Sequence, residues 1–270
     1  MSKITGTISE IHKLQEQAQL STPLTSLHPL AKLLVTMAYI VTLMSLGKYA
    51  LFKLLVLASY PLLCFFWGRI SLSQALWRLR LILPLVACVG IANPLFDKHI
   101  IYWGDFAIRA GYLSFFSLLL KGVLAVLASY LLIATTTIEQ ICYALRLVHM
   151  PKLLVTQFLL TYRYLTLLLQ QADSIAQAYA LRAPKQKGVH FKVWGSLAGQ
   201  LLLRSIDRAN NLYDSMLLRG YKGEYYYGGP VANWAKRDWH YLLVTLTLLI
   251  LLRLLPWSFI YTKLMGGQFL

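Results

Sequence analysis

Five apolar runs of near membrane-spanning length, at about 30–47, 50–67, 81–96, 111–134 and 239–257, constrain this chain more than any other feature. A helix rises about 1.5 Å per residue, so crossing a hydrocarbon layer of roughly 30 Å takes about 17–25 apolar residues. Lipid offers no partner to backbone N–H and C=O groups, so a run of this kind has to close its hydrogen bonds internally, as a helix. Composition agrees, because 58% apolar and 13% charged residues in a chain of 270 lie outside the range of ordinary soluble domains. These residues predict an all-α integral membrane protein with about five transmembrane helices.

The connectors set the expected topology. Gly47, Lys48 and Tyr49 leave room only for a tight hairpin between the first two runs, and Arg69, Arg78 and Arg80 flank a short amphipathic stretch before the third. The connector 97–110 balances Asp97 and Asp105 with Lys98 and Arg109, which suits an outer loop. Residues 135–238 instead carry thirteen Lys and Arg against six Asp and Glu, and such an excess marks the cytoplasmic side. The net charge of +16 is therefore read by side of the membrane, with no nucleic-acid partner implied. The expected organisation is a cytoplasmic segment 1–29, transmembrane helices 1–4 in 30–134, a cytoplasmic helical region 135–238, and a last span with its tail in 239–270. This places the N-terminus inside and the C-terminus outside a multi-pass protein of the cell membrane. The run 151–170 is long enough for a sixth span. It holds Lys152 and Arg163, each costing roughly 2.5–3.5 kcal/mol at the centre of a bilayer, so it is assigned to the insert.

Two long helical patterns fill that insert, 152–182 and 191–219. The first is apolar almost all round, then narrows to Ala172, Ile175, Ala176 and Tyr179. The second is expected to set Ile206, Ala209, Leu212, Tyr213 and Met216 on one face and Arg204, Arg208, Asn211, Ser215 and Arg219 on the other. Each pattern stops on the same signal, a single arginine ahead of a helix breaker. Pro184 cannot continue a helix and Gly220 suits the position just past a last turn, so Arg182 and Arg219 should occupy exposed helix C-termini. Solvated cations at the negative end of a helix dipole would explain one such arginine, at about 0.3–1 kcal/mol. Two of them on matched signals ask for a further reason.

Other chemistry is mostly excluded. The chain has no Gly-x-x-x-x-Gly-Lys-Ser/Thr phosphate loop, so ATP binding of that kind is not expected, and neither is a catalytic residue. Cys64, Cys88 and Cys142 are far apart, and the six histidines, His28, His149 and His240 among them, form no pair at ligand spacing. No metal site and no cofactor follow. Lys121 is the one ionisable residue deep in an expected span, which makes it a candidate functional charge, while Arg253 reads as an interfacial anchor. A self-sufficient channel or carrier would show polar residues recurring across several spans or inverted repeats, and an intramembrane enzyme would show reactive groups at bilayer depth. The spans show neither.

Several segments resemble the transmembrane T component of energy-coupling factor (ECF) transporters, nearest to its cobalt-transport CbiQ/EcfT branch. They are Leu27-His28-Pro29-Leu30-Ala31-Lys32-Leu33, Leu147-Val148-His149-Met150-Pro151-Lys152, Tyr162-Arg163-Tyr164-Leu165, Ala180-Leu181-Arg182-Ala183, Arg204-Ser205-Ile206-Asp207-Arg208-Ala209, and 215–224, Ser-Met-Leu-Leu-Arg-Gly-Tyr-Lys-Gly-Glu. The resemblance implies a non-enzymatic scaffold of an ABC-type importer, for cobalt, with nickel or a vitamin as alternatives. It implies as partners two cytoplasmic ABC-type ATPases, which hydrolyse the ATP, and a substrate-binding membrane subunit, the S component. It also implies that two X-Arg-X motifs at the ends of coupling helices dock on the ATPases. They fall here on Leu181, Arg182, Ala183 and on Leu218, Arg219, Gly220. The first reads Ala-Leu-Arg-Ala where many members carry Ala-Arg-Gly.

Overall fold

The computed structural model describes residues 6, 9, 22–47, 51–68, 70, 72–96, 100–103, 106–184, 188–223 and 234–254. Most of 1–21, the expected turn at Lys48 and Tyr49, Arg69, Asp97, Lys98, Asp105, Lys185, Lys187, Glu224 and the tail from 255 lie outside them. Helices dominate: α1 (Pro29–Ser45), α2 (Leu51–Gly68), α3 (Leu72–Gly90), α4 (Ala92–Phe96), α5 (Ala110–Thr135), α6 (Ile138–Leu147), α7 (Lys152–Arg182), α8 (Phe191–Leu218) and α9 (Lys236–Leu254). One antiparallel hairpin interrupts them, β1 (Ile100–Trp103) with β2 (Phe106–Arg109), pairing Ile100 with Arg109 and Trp103 with Phe106. Part of the expected outer loop is thus a short two-stranded ribbon, to which its isoleucines and aromatic residues are suited.

The chain divides into two compact units. One, here the helical sheaf, comprises 20–135 and 232–270; the other, the arm unit, comprises 1–19 and 136–231.

In the sheaf, α5 is central and packs against α1, α2, α3 and α4, while α9 lies along α1 and touches α2. Periodicity explains the packing of α1: Ala31, Val35, Tyr39 and Leu43 recur every fourth residue and are fully buried. Leu54, Leu57 and Cys64 of α2 and Leu124, Leu127 and Leu131 of α5 complete the core. Small residues let α3 and α5 close up. A Cβ at Gly122 would stand 3.1 Å from Val86, and one at Gly90 would stand 2.9 Å from Phe115. Tyrosines supply the polar contacts of this interior: the Tyr39 hydroxyl donates to the Leu57 carbonyl at 3.1 Å, and the Tyr60 and Tyr241 hydroxyls meet at 2.8 Å. Residues 72–80, expected as a stretch separate from the third span, join it in the single helix α3, which runs through Pro84 and breaks at Ile91. A proline removes one intrahelical bond, and packing on α5 keeps the helix continuous.

By length and composition alone, two helices are apolar enough to cross a membrane, Leu51–Gly68 and Gly111–Thr135; Pro29–Ser45 and Ile82–Pro94 are apolar but shorter. The helix α7, whose first half is the rejected sixth span, is not among them.

The first and last helices of the sheaf are parallel neighbours with their N-termini joined. His28 is the N-cap of α1, and its backbone N–H donates to Oδ1 of Asp238 at 3.1 Å. The other oxygen, Oδ2, accepts the backbone N–H of Ala235 at 2.9 Å, just before α9 begins. One carboxylate therefore satisfies orphan N–H groups at two helix N-termini 210 positions apart, where the helix dipoles also favour negative charge.

In the arm unit, α6 packs on α7, and Cys142, Val155 and Leu159 form a small core with Ile138 and Met150 against it. The start of α6 is a capping box between Thr137 and Gln140. Its end is closed by His149 in the left-handed region (φ 64°), with Met150 N–H donating to the Leu145 carbonyl at 3.2 Å. The next helix, α8, touches α7 and has no fully buried residue.

Candidate functional site

The two arginines stand at two differently built helix ends. Arg182 is the last residue of α7, and beyond it the Ala183 N–H returns to the Tyr179 carbonyl at 3.0 Å before Pro184 stops the chain. Arg219 is the C-cap of α8 in a complete Schellman motif. There Tyr221 N–H donates to the Met216 carbonyl and Gly220 N–H to the Leu217 carbonyl, both at 2.9 Å, with Gly220 at φ +80°. An L-residue would be strained at that angle, so the glycine makes the tip.

Both arginines are exposed, and so are the leucines before them: Leu181 is 84% exposed and Leu218 90%. A large apolar side chain held that far out beside a guanidinium on a rigid helix end is suited to contact, and a guanidinium offers five donors in a planar fork. Ala183 is half-buried, and Gly220 has open space where a Cβ would be.

The faces of α8 differ from the expected division. Its half-buried line runs through Val193, Leu197, Leu201, Ser205, Arg208, Leu212, Ser215 and Met216, so it combines residues assigned to opposite faces. Ile206, Ala209 and Tyr213, expected on one apolar face with Leu212 and Met216, are exposed, as are Phe191, Leu202 and Leu217. The helix is turned so that the covered side takes Arg208 and Ser215 along with Leu212 and Met216, while a second apolar stripe from Phe191 to Leu217 is left open. On α7, Val155, Thr156 and Leu159 are buried near the start and Ala172, Ile175, Ala176 and Tyr179 are half-buried further on. Asp173, which hydropathy gives no reason to bury, is covered and accepts a 2.7 Å hydrogen bond from the Gln177 amide one turn on.

Lys121 has a structural partner inside the sheaf. Its ammonium donates at 2.6 Å to the carbonyl of Leu46, the C-cap of α1, and the guanidinium of Arg253 reaches the hydroxyl of Ser45 beside it. Two cations thus meet the negative end of one helix.

No group of three or more His, Cys, Asp or Glu able to hold a metal ion stands together among the described residues. Burial and the nearby Glu139 carboxylate push the Cys142 thiol up, away from the reactive thiolate. His28 is lowered, chiefly by burial, although Asp238 opposes the shift, and its Nδ1 accepts the Leu30 N–H at 3.2 Å, consistent with a neutral ring.

The sheaf, the two exposed arginine tips and the open apolar stripe are the features that any functional reading has to account for. The chain belongs to the CbiQ family, cobalt transport protein, whose model matches residues 21–227, from the entry to α1 through both arginine tips. That family consists of transport components. No individually curated protein matches the chain.

Proposed function

We propose that this protein is the transmembrane coupling subunit of an ECF-type importer, which transmits the ATP-driven motion of two cytoplasmic ABC-type ATPases to a substrate-binding membrane subunit. Cobalt is the substrate the family favours, with nickel as the chemically nearest alternative. The observation that carries the reading is the pair of rigid helix ends, each with an exposed arginine preceded by an exposed leucine. In each motif the guanidinium enters an acidic or carbonyl-lined groove on one ATPase while the leucine covers the rim.

Membrane insertion is supported by the surface of the sheaf. Only 39% of the candidate span in α2 and 33% of that in α5 is buried within the chain, which suits helices that meet lipid along much of their surface. Val41, Leu55, Leu63, Phe66, Leu85, Val89, Val244 and Leu251 are all exposed, and so many large apolar side chains on one helical unit suit a lipid-facing surface. With α1 and α9 parallel, both cross in the same direction; five crossings then leave the C-terminus outside and residues 136–231 on the cytoplasmic side, with their excess of cations. As the ATPases close on ATP they draw the two tips together, and the stripe Phe191, Leu202, Ile206, Tyr213 and Leu217 carries that motion to the substrate-binding subunit.

Co-purification tests the reading. The parent chain is expected to retain both ATPases through detergent extraction, and Arg182→Ala and Arg219→Ala each to weaken that retention strongly while still inserting in the membrane. Retention and uptake at parental levels in both variants would refute the assignment.

A further inference from the structure

The buried polar junction at the head of α1 is unused by the docking tips, and its position in the chain is informative. Asp238 is 1% exposed, His28 2% and Lys32 3%. The Lys32 ammonium donates at 2.7 Å to the carbonyl of Thr135 and at 3.4 Å to that of Thr25. Thr135 is the last residue of the sheaf before the chain leaves it, and Ala232 is the first on its return. The return is held as firmly. Trp234 stacks on the His28 ring at 4.5 Å, Ala235 and His28 share the Asp238 carboxylate, and Arg237 donates to the carbonyl and the hydroxyl of Ser26 at 3.1 and 2.9 Å. Six residues of α1, its entry and the start of α9 thus grip both points where the main chain passes out of the sheaf.

Stability alone is a weak reason for this arrangement. Burying an ammonium and a carboxylate costs solvation that a well-packed apolar pair would not, so such groups do little net for stability while fixing a unique geometry. Each group here is aimed at backbone: Lys32 at two carbonyls, Asp238 at two N–H groups. What they specify is the path of the main chain at its two exits.

We infer that His28, Lys32 and Asp238 are positioning residues that clamp both exits of the sheaf to the N-terminus of α1. The clamp makes the sheaf a fixed base for whatever force arrives through residues 136–231. This rests on the coupling function proposed above. Without the clamp the ATPases still dock and turn over, but their motion is taken up by slack at Thr135 and Ala235.

The experiment compares the parent with Asp238→Ala, Asp238→Glu and Lys32→Met, each in the full chain with its ATPases and substrate-binding subunit in proteoliposomes. Three quantities are read: ATPase retained per chain, ATP hydrolysis, and cobalt uptake per ATP hydrolysed. In Asp238→Ala and Lys32→Met, retention and hydrolysis are expected to stay within about twofold, while uptake per ATP falls about threefold to thirtyfold, the range that loss of a coupling residue spans. Asp238→Glu keeps the carboxylate and should recover part of the ratio. Amide hydrogen exchange on the full chain is the structural readout: in Asp238→Ala it should rise at residues 28–31 and 235–240 together, because one carboxylate serves both. Unchanged uptake per ATP with raised exchange would overturn the positioning role and leave the docking assignment standing. Exchange rising at only one of the two segments would overturn the shared clamp itself. Failure of the parent to retain its ATPases would refute the coupling function separately, and the exchange result would still decide whether the clamp exists.

Discussion

The sheaf and the arm unit are built on opposite terms. In the sheaf, the contacts that matter join residues far apart in sequence: Asp238 with His28, Tyr60 with Tyr241, Lys32 with Thr135, Lys121 with Leu46. Its buried charges are partnered with backbone, and its outer surface is apolar. In the arm unit the capping box Thr137–Gln140, the Asp173–Gln177 pair and the Schellman turn at Arg219 are all local, and the two longest helices leave large apolar side chains exposed. The first pattern gives a body that holds its shape; under the coupling function proposed above, the second would give levers whose open surfaces meet the partner subunits. A helix with no fully buried residue, such as α8, gains little packing from the rest of its own chain.

That contrast can be broken by experiment, beginning where the effects are largest. Truncating either arginine should cost roughly 2–5 kcal/mol of ATPase binding if the partner's charge is left unpaired, against tenths to about 1 kcal/mol for a solvated cap. The check is competitive binding with Lys222→Ala as the control, and a loss confined to the cap range would reduce the tips to ordinary helix ends.

Core truncation in the sheaf comes next. Leu54→Ala, at a fully buried site, should lower stability by about 2–4 kcal/mol in detergent. Leu202→Ala on the open stripe of α8 should stay within about 0.5 kcal/mol for the chain alone. Equal losses in thermal unfolding would mean that the stripe is already covered in the free chain, and the contrast would fall.

Gly220→Val should strain the Schellman turn by about 1–2 kcal/mol, loosening the Arg219 tip while Arg182 is unaffected. Proteolysis near 219–223 reads this directly.

The smallest expected effect concerns pH. The His28 pKa is lowered in the folded state, so below the ordinary histidine value of 6.5 the unfolded chain binds a proton that the folded chain resists. Stability should therefore decline as pH falls from about 7.5 to 5.5, and His28→Asn should flatten that slope. A slope unchanged in the variant would place the pH response elsewhere.

The two arginine-bearing stops were legible because they sit at helix ends, where local chemistry rules. Pro184 and Gly220 announce the stops after Arg182 and Arg219, and the observed helices end there because a proline lacks the N–H and a glycine tolerates positive φ. The capping box Thr137–Gln140 heads a short helix, α6, which lies outside the two long patterns read from the insert. Lys121 was conspicuous as a charge in an apolar run, but its partner carbonyl belongs to a helix 75 positions away.

By itself, then, the sequence determined the helical class, the approximate positions of the long helices and the two arginine-bearing helix ends, because hydrophobic periodicity and backbone stops act within a few residues. Only the tertiary structure decided which stripe of α8 is covered, why Asp173 is buried, and that Asp238 caps two helices at once. An aspartate two residues inside a helix looks like a first-turn acid in any sequence. Its second bond depends on α1 lying parallel beside α9, a fact of packing between segments 210 positions apart that no local pattern encodes.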